Sequence, residues 1–211
     1  MLKTYISATL GDITTNVIFN GVSQLKGPTS IINTTLHGMQ TGTCFIAFPI
    51  AQHLLDQICK ESPKLKQIRE KGHAVDIAIT GTVAAAVVTV MNLPLHLVQE
   101  KVANNKDANV TAKDIGKMFF SQIGPNIGFP LTASFVDPLL PIPQNSIIGW
   151  ARGHLLTNTS AFGATLLSIP SGYLLNGINP MVQVKGFFKG IVSSMVLQDS
   201  TEHFMRIAQS I

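Results

Sequence analysis

The sequence predicts an all-α fold, a polytopic membrane bundle of six helices arranged as three pairs. Three observations lead there. Charged residues make up only 12% of the 211-residue chain while apolar residues make up 45%; a soluble domain typically carries about 25% charge. The charges are also withheld from long windows. No Asp, Glu, Lys or Arg lies between Lys26 and Asp56, Asp76 and Glu100, Lys117 and Asp137, or Arg152 and Lys185. Most of these windows reach the roughly 20 residues that a helix needs to cross a hydrocarbon core. Finally, the windows are rich in Gly, Thr, Ser and Asn, residues that let helices approach closely and bond to one another. A soluble protein with an unusually apolar core, or a subunit buried in a larger assembly, competes with this reading. A soluble helix, however, needs a wet, charged face.

The elements follow in order. A first helix is expected over 5–25, with Asp12, Thr14, Thr15, Asn16 and Asn20 inside it; Asp12 has Lys3 or another helix as its expected partner. Gly27-Pro28 breaks the chain. A second helix covers 30–60, with Pro49 expected to kink it. Glu61 to Lys71 is a charged linker. The third helix, 75–102, is the cleanest span. Its Ala84-Ala85-Ala86 patch suits tight packing, and Pro94 interrupts it near the end. A polar turn at 104–107 leads to a short amphipathic helix over 111–117, expected to lie along an interface. The fourth span, from 122 to about 136, is short and bent, because Pro125 and Pro130 fall inside it and Asp137-Pro138-Leu-Leu-Pro141-Ile-Pro143 ends it. The fifth helix covers 147–175, with Trp150 and Arg152 as interface anchors and Pro170 as a late break. After a turn at Gly177 and Pro180 the sixth covers 186–207.

The odd-numbered helices share a design, a small-residue run followed by a break and a polar tail. The breaks fall at Gly21, Pro94 and Pro170, 73 and 76 residues apart. The even helices echo one another more weakly, Thr35-Leu-His-Gly38 with Phe48-Pro49 against Phe187-Phe-Lys-Gly190. Pseudo-repeats of about 1–65, 66–147 and 148–211 result, within a single transmembrane domain. In this respect the chain resembles the mitochondrial carrier family, whose three repeats of two helices close the matrix side with Pro-x-Asp/Glu-x-x-Lys/Arg motifs. The resemblance implies a multi-pass protein of the mitochondrial inner membrane. The opening Met1-Leu2-Lys3-Thr4-Tyr5 has neither a secretory-signal nor a transit-peptide pattern, so internal targeting is expected.

The motif positions depart from the family in one direction. The second repeat keeps Pro94 but has His96 for the acid and Gln99 for the cation. The third keeps Pro170, with Gly172 and Leu175 in place of both charges. The first has Gly21, Ser23 and Lys26, where only the cation survives. The resemblance implies a second gate on the even helices, where Asp56 with Lys60 and Glu202 with Arg206 stand as remnants; solvated helix ends are the plainer reading of the same residues. Alternating access needs two gates, and these losses remove the ion pairs. The expectation is a non-catalytic structural or accessory subunit with a carrier-like fold in a respiratory or ATP synthase complex. An atypical carrier of a small metabolite is the alternative. Other membrane subunits and lipid are the expected partners, and phospholipid or cardiolipin the one bound group; no cofactor or metal is expected.

Other chemistry has little footing. Lys and Arg are scattered with no aromatic platform between them, which gives nucleic-acid binding no support. Cys44 and Cys59 form no Cys-x-x-Cys pair, and the six histidines form no metal-ligand pair. No phosphate loop follows a strand, and no Gly-x-Ser-x-Gly elbow occurs.

Overall fold

A computed structural model describes residues 1–22, 26–103 and 110–210. All regular structure among them is helical: α1 (Leu2–Asn20), α2 (Pro28–Glu61), α3 (Pro63–Arg69), α4 (His73–Val98), α5 (Ala112–Ile123), α6 (Phe129–Val136), α7 (Ser146–Asn176) and α8 (Pro180–Ser210). Among the described residues one stretch, His73–Val102, is long and apolar enough by itself to cross a membrane; α2 and α7 carry more Thr, Asn and Gly, and α8 carries Lys185, Lys189, Asp199, Glu202 and Arg206.

Local chemistry explains the boundaries. Gly21 ends α1 at φ 77°, a backbone setting that side chains with a Cβ rarely adopt. Pro28 opens α2, where its missing N–H costs nothing. Asn145 caps α7 by accepting the Ile148 N–H at 2.9 Å, and Gly177 closes it in the left-handed region. Proline does not end α2, α4 or α7: each continues through Pro49, Pro94 or Pro170.

Three expectations are corrected. The charged linker contains a short helix, α3, opened by Pro63. The sixth helix starts at Pro180 rather than Gly186, because Asn179 Oδ1 accepts the Met181 N–H at 2.8 Å and proline suits the first turn. The amphipathic helix expected after Thr111 is present but runs beyond Lys117. It runs as α5 through a π turn at Gly124–Gly128 into α6. The wider turn takes up Pro125, which has no N–H to contribute to a regular ladder. The expected polar turn at 104–107 lies outside the described residues.

The chain divides into two compact units, one of Met1–Ala47, Val88–Gly116 and Val192–Ile211, the other of Phe48–Val87 and Lys117–Ile191. In the first, α1 packs on α2 at Gly38 and Gly42. A Cβ on Gly38 would lie 2.8 Å from the Thr9 carbonyl oxygen, and one on Gly42 would lie 2.9 Å from that of Tyr5. Gly11 meets α8 in the same way, with Thr201 against it. Amides of Asn33 and Gln40 bond Gln99, tying α2 to the π turn after α4.

In the second unit α5 and α6 pack on α7. A Cβ on Gly124 would sit 2.7 Å from the Ser168 nitrogen, and one on Gly128 would sit 2.6 Å from the Ala164 Cα. Gly163 lies against Thr132, and Gly81 of α4 against the Asn126 carbonyl. Phe162 and Phe187 join α7 to α8 with ring centroids 5.1 Å apart.

Small and hydroxyl side chains are prominent among the buried positions: Ala8, Ala47, Ala51, Ala84, Ala85 and Ala164 together with Ser7, Thr15, Thr43, Thr80, Thr89 and Ser160, around a smaller set of aliphatic residues, Leu36, Ile46, Leu55, Ile77 and Val88. Ile6, Leu10, Phe19, Val90, Phe135, Leu155, Leu174 and Phe188 face outward. Many hydroxyls are satisfied inside their own helix by the carbonyl one turn back, as in Thr15 to Gly11 at 2.8 Å and Ser168 to Ala164 at 2.8 Å.

Candidate functional site

Two charged assemblies stand out, and of the positions that the repeat pattern marks only Asp56 belongs to either. The first lies between α1 and α2. Asp12 falls on the small, buried face of α1, in register with Ser7, Ala8, Gly11 and Thr15. Gly38 draws α2 against that helix, which brings the neighbouring His37 within reach. His37 Nδ1 stands 2.7 Å from Asp12 Oδ2, and the same oxygen accepts from Asn16 Nδ2 at 2.9 Å. The Asp12 side chain is 8% exposed and that of His37 58%. The carboxylate fixes one ring nitrogen and leaves the other side of the imidazole toward the exterior. This pair can hold and exchange a proton, and it ties two helices. Lys3, one of the partners expected for Asp12, instead donates to the Ala208 carbonyl at 2.5 Å.

The second assembly joins the end of α2, α3 and the start of α4. Arg69 Nε donates to Asp76 Oδ1 at 2.5 Å; its Nη1 donates to Asp56 Oδ1 at 2.8 Å and to Cys59 Sγ at 3.6 Å. The Arg69 side chain is only 12% exposed. Burial works against its charged form. The hydrogen bonds from Asp76, Cys59 and Asp56 outweigh that, so its pKa is raised above the ordinary arginine value. An open cleft of about 590 Å³ lies beside it, lined among others by Lys60, Lys66, His73 and Asp76. Acids and cations alternate there.

Apart from Asp56, the positions singled out from the sequence fall elsewhere. Gly21 caps α1, Lys26 is exposed in the turn before α2, and Ser23 lies outside the described residues. Pro94 and His96 sit in the last turns of α4, and Gln99 opens the π turn with its amide bonded to Asn33 and Gln40. Pro170 and Leu175 line an apolar groove of about 380 Å³ with Phe120, Ile123, Leu167 and Leu174. Gly172 lies under the Gln183 amide. No ion pair forms at the described positions of this set. Of the second set, Asp56 pairs with Arg69, not Lys60, whose Nζ donates to Gln57 Oε1 at 3.0 Å. Glu202 and Arg206 pair along one face of α8 at 3.8 Å, both well exposed.

Sequence reasoning passed over the Arg69 assembly because a run of mixed charges looks solvated. It passed over the Asp12–His37 pair because the two residues are 25 apart. A signal was there for the second: Gly38-Met-Gln-Thr-Gly42 is a small-xxx-small motif, and it places the residue beside Gly38 against a partner helix. Gly124-Pro-Asn-Ile-Gly128 is another, seated on α7. Among the described residues no three potential ligands gather as a metal site. Compared with protein-family models, with curated proteins and with solved structures, the chain matches none.

Proposed function

We propose that this chain is a non-catalytic structural or accessory subunit, carrier-like in fold, within a larger complex of the mitochondrial inner membrane. A respiratory or ATP synthase complex is the kind that the sequence resemblance implies. The observation that carries the membrane part is the number of large apolar side chains held outward while Ala, Ser and Thr fill much of the interior. Helices that pack through small and polar residues and turn many of their Leu, Ile, Val and Phe outward suit an apolar surrounding. The large outward apolar area also supports partners, since contiguous exposed apolar patches beyond a few hundred Å² are unusual on soluble monomers. The scaffold part rests on the motif positions, where no gating ion pair forms and where Gln99 makes amide bonds instead.

A second reading has its own observation. The mostly buried Asp12 carboxylate facing His37, with Thr80, Asn92 and Ser160 bearing buried oxygens that have no hydrogen-bond partner, supports an atypical solute carrier that works by alternating access. Intramembrane ionisable groups are often functional. Gentle detergent extraction, native-gel separation and mass spectrometry distinguish the two. Co-migration with a large complex at fixed stoichiometry is the expected outcome. Migration as a free monomer overturns the scaffold reading and directs attention to uptake assays on the reconstituted protein.

A further inference from the structure

We infer that the loop between α6 and α7, with the first turn of α7, is a lipid-contacting anchor that lies in the headgroup and upper acyl region of a bilayer. The inference rests on the membrane reading above and adds which segment meets the interface and at what depth. From Pro138 to Ala151 the chain has no charged residue. Leu139 is 81% exposed and Ile142 85%, and Ile147 and Trp150 are exposed beside them. A loop in water has no physical reason to hold four large apolar side chains outward with no charge among them.

The backbone suits the same surrounding. Pro138, Pro141 and Pro143 each remove an N–H, so three donors that lipid cannot satisfy do not exist. Leu140 at φ −86°, ψ 143° is extended, close to polyproline II geometry, and carries the chain outward. At the base, Arg152 Nη2 donates to Asp137 Oδ1 at 2.6 Å and to the Asp137 carbonyl at 3.1 Å. The nearest acid and cation thus neutralise each other and pin the loop's start to α7. Asn145 spends its side-chain oxygen on the α7 cap. Beyond these groups Trp150 presents an apolar ring with one N–H, the chemistry enriched at membrane interfaces. Three of the apolar side chains come from an open loop and its junction with α7, not from a flat helix face. This favours insertion among acyl chains over docking on a protein surface.

Trp150 is the only tryptophan in the protein, which makes the test direct. The whole chain is reconstituted into phosphatidylcholine vesicles whose acyl chains carry bromine either near the headgroup end or near the chain middle. Quenching of Trp150 emission is then read, with vesicle flotation as a separate measure of membrane incorporation. The expected result is strong quenching by the shallow bromine and weaker quenching by the deep one. The double variant Leu139→Asp, Ile142→Asp is expected to lose at least about half of that quenching while still floating; both side chains are so exposed that the fold does not depend on them. Flotation without quenching by either lipid, or quenching untouched by the double variant, overturns the anchor and leaves the membrane reading standing. A chain that does not float overturns both. Quenching that vanishes only when a co-purified protein is present assigns the loop to that protein instead.

Discussion

Asp12 and His37 divide their surroundings unequally, and the inequality decides how each responds to removal. The His37 ring is more than half exposed, so its own loss is mild. What remains is a buried carboxylate with Asn16 as its one partner, and a buried acceptor that loses a hydrogen-bond partner costs about 1–3 kcal/mol. His37→Ala is therefore expected to lower stability by an amount in that range, and Asp12→Asn by less, because the amide remains able to bond both neighbours. Thermal unfolding of the two single variants and the double variant in mild detergent measures the coupling. Strictly additive effects would show the pair to be incidental. Arg69 makes a different demand. It reaches Asp76 through Nε and Asp56 through Nη1 at once, a fork that lysine cannot reproduce. Arg69→Lys is expected to lose about 1 kcal/mol, discounted for the exposure of Asp56, and to retain the net charge. A lysine variant as stable as the parent across salt concentrations would reduce Arg69 to a point charge.

At the scale of the element, glycines decide where helices touch. Gly38 has the Thr9 carbonyl where a Cβ would go, whereas Gly186 has nothing near that point. Gly38→Ala is expected to destabilise by about 1–3 kcal/mol through overpacking. Gly186→Ala is expected to be neutral or stabilising by up to about 1 kcal/mol, since alanine favours the helix and meets no obstacle. The unfolding midpoint should fall for Gly38→Ala and hold or rise for Gly186→Ala, and equal shifts would contradict the packing. Helices themselves were legible where local chemistry marks them. The turn at Gly177 is a local signal that the structure uses, whereas Pro28 reads as a break but opens α2, and the cap at Asn145 went unread. The continuity of α5 into α6 was not legible, because a π turn that accommodates Pro125 depends on Ser168 and Ala164 packed against Gly124 and Gly128. The start of α8 at Pro180 was legible in principle from Asn179-Pro180, but the glycine at 186 drew the boundary too late. The Asp12–His37 and Arg69 assemblies lay beyond local signals, since each needs two or more elements brought together.

For the whole molecule the test is what surrounds it. Val90 lies in the one stretch among the described residues that is apolar and long enough to span a membrane, and it is 71% exposed. In water, Val90→Asp would be nearly neutral. In lipid near the middle of a span, a carboxylate costs about 2.5–3.5 kcal/mol on an insertion scale. We expect the variant to insert poorly in a glycosylation-reporter assay and to leave membranes under alkaline carbonate; unchanged insertion would argue against lipid at that face. The interior of Ala, Gly, Thr and Ser has a further consequence, for the temperature response. The heat capacity change of unfolding comes chiefly from apolar surface newly met by water. A molecule that already turns many of its large apolar groups outward, and whose interfaces are rich in small side chains, has less such surface to release. Its stability curve should be shallow, with cold as ineffective as moderate warmth at pulling the helices apart.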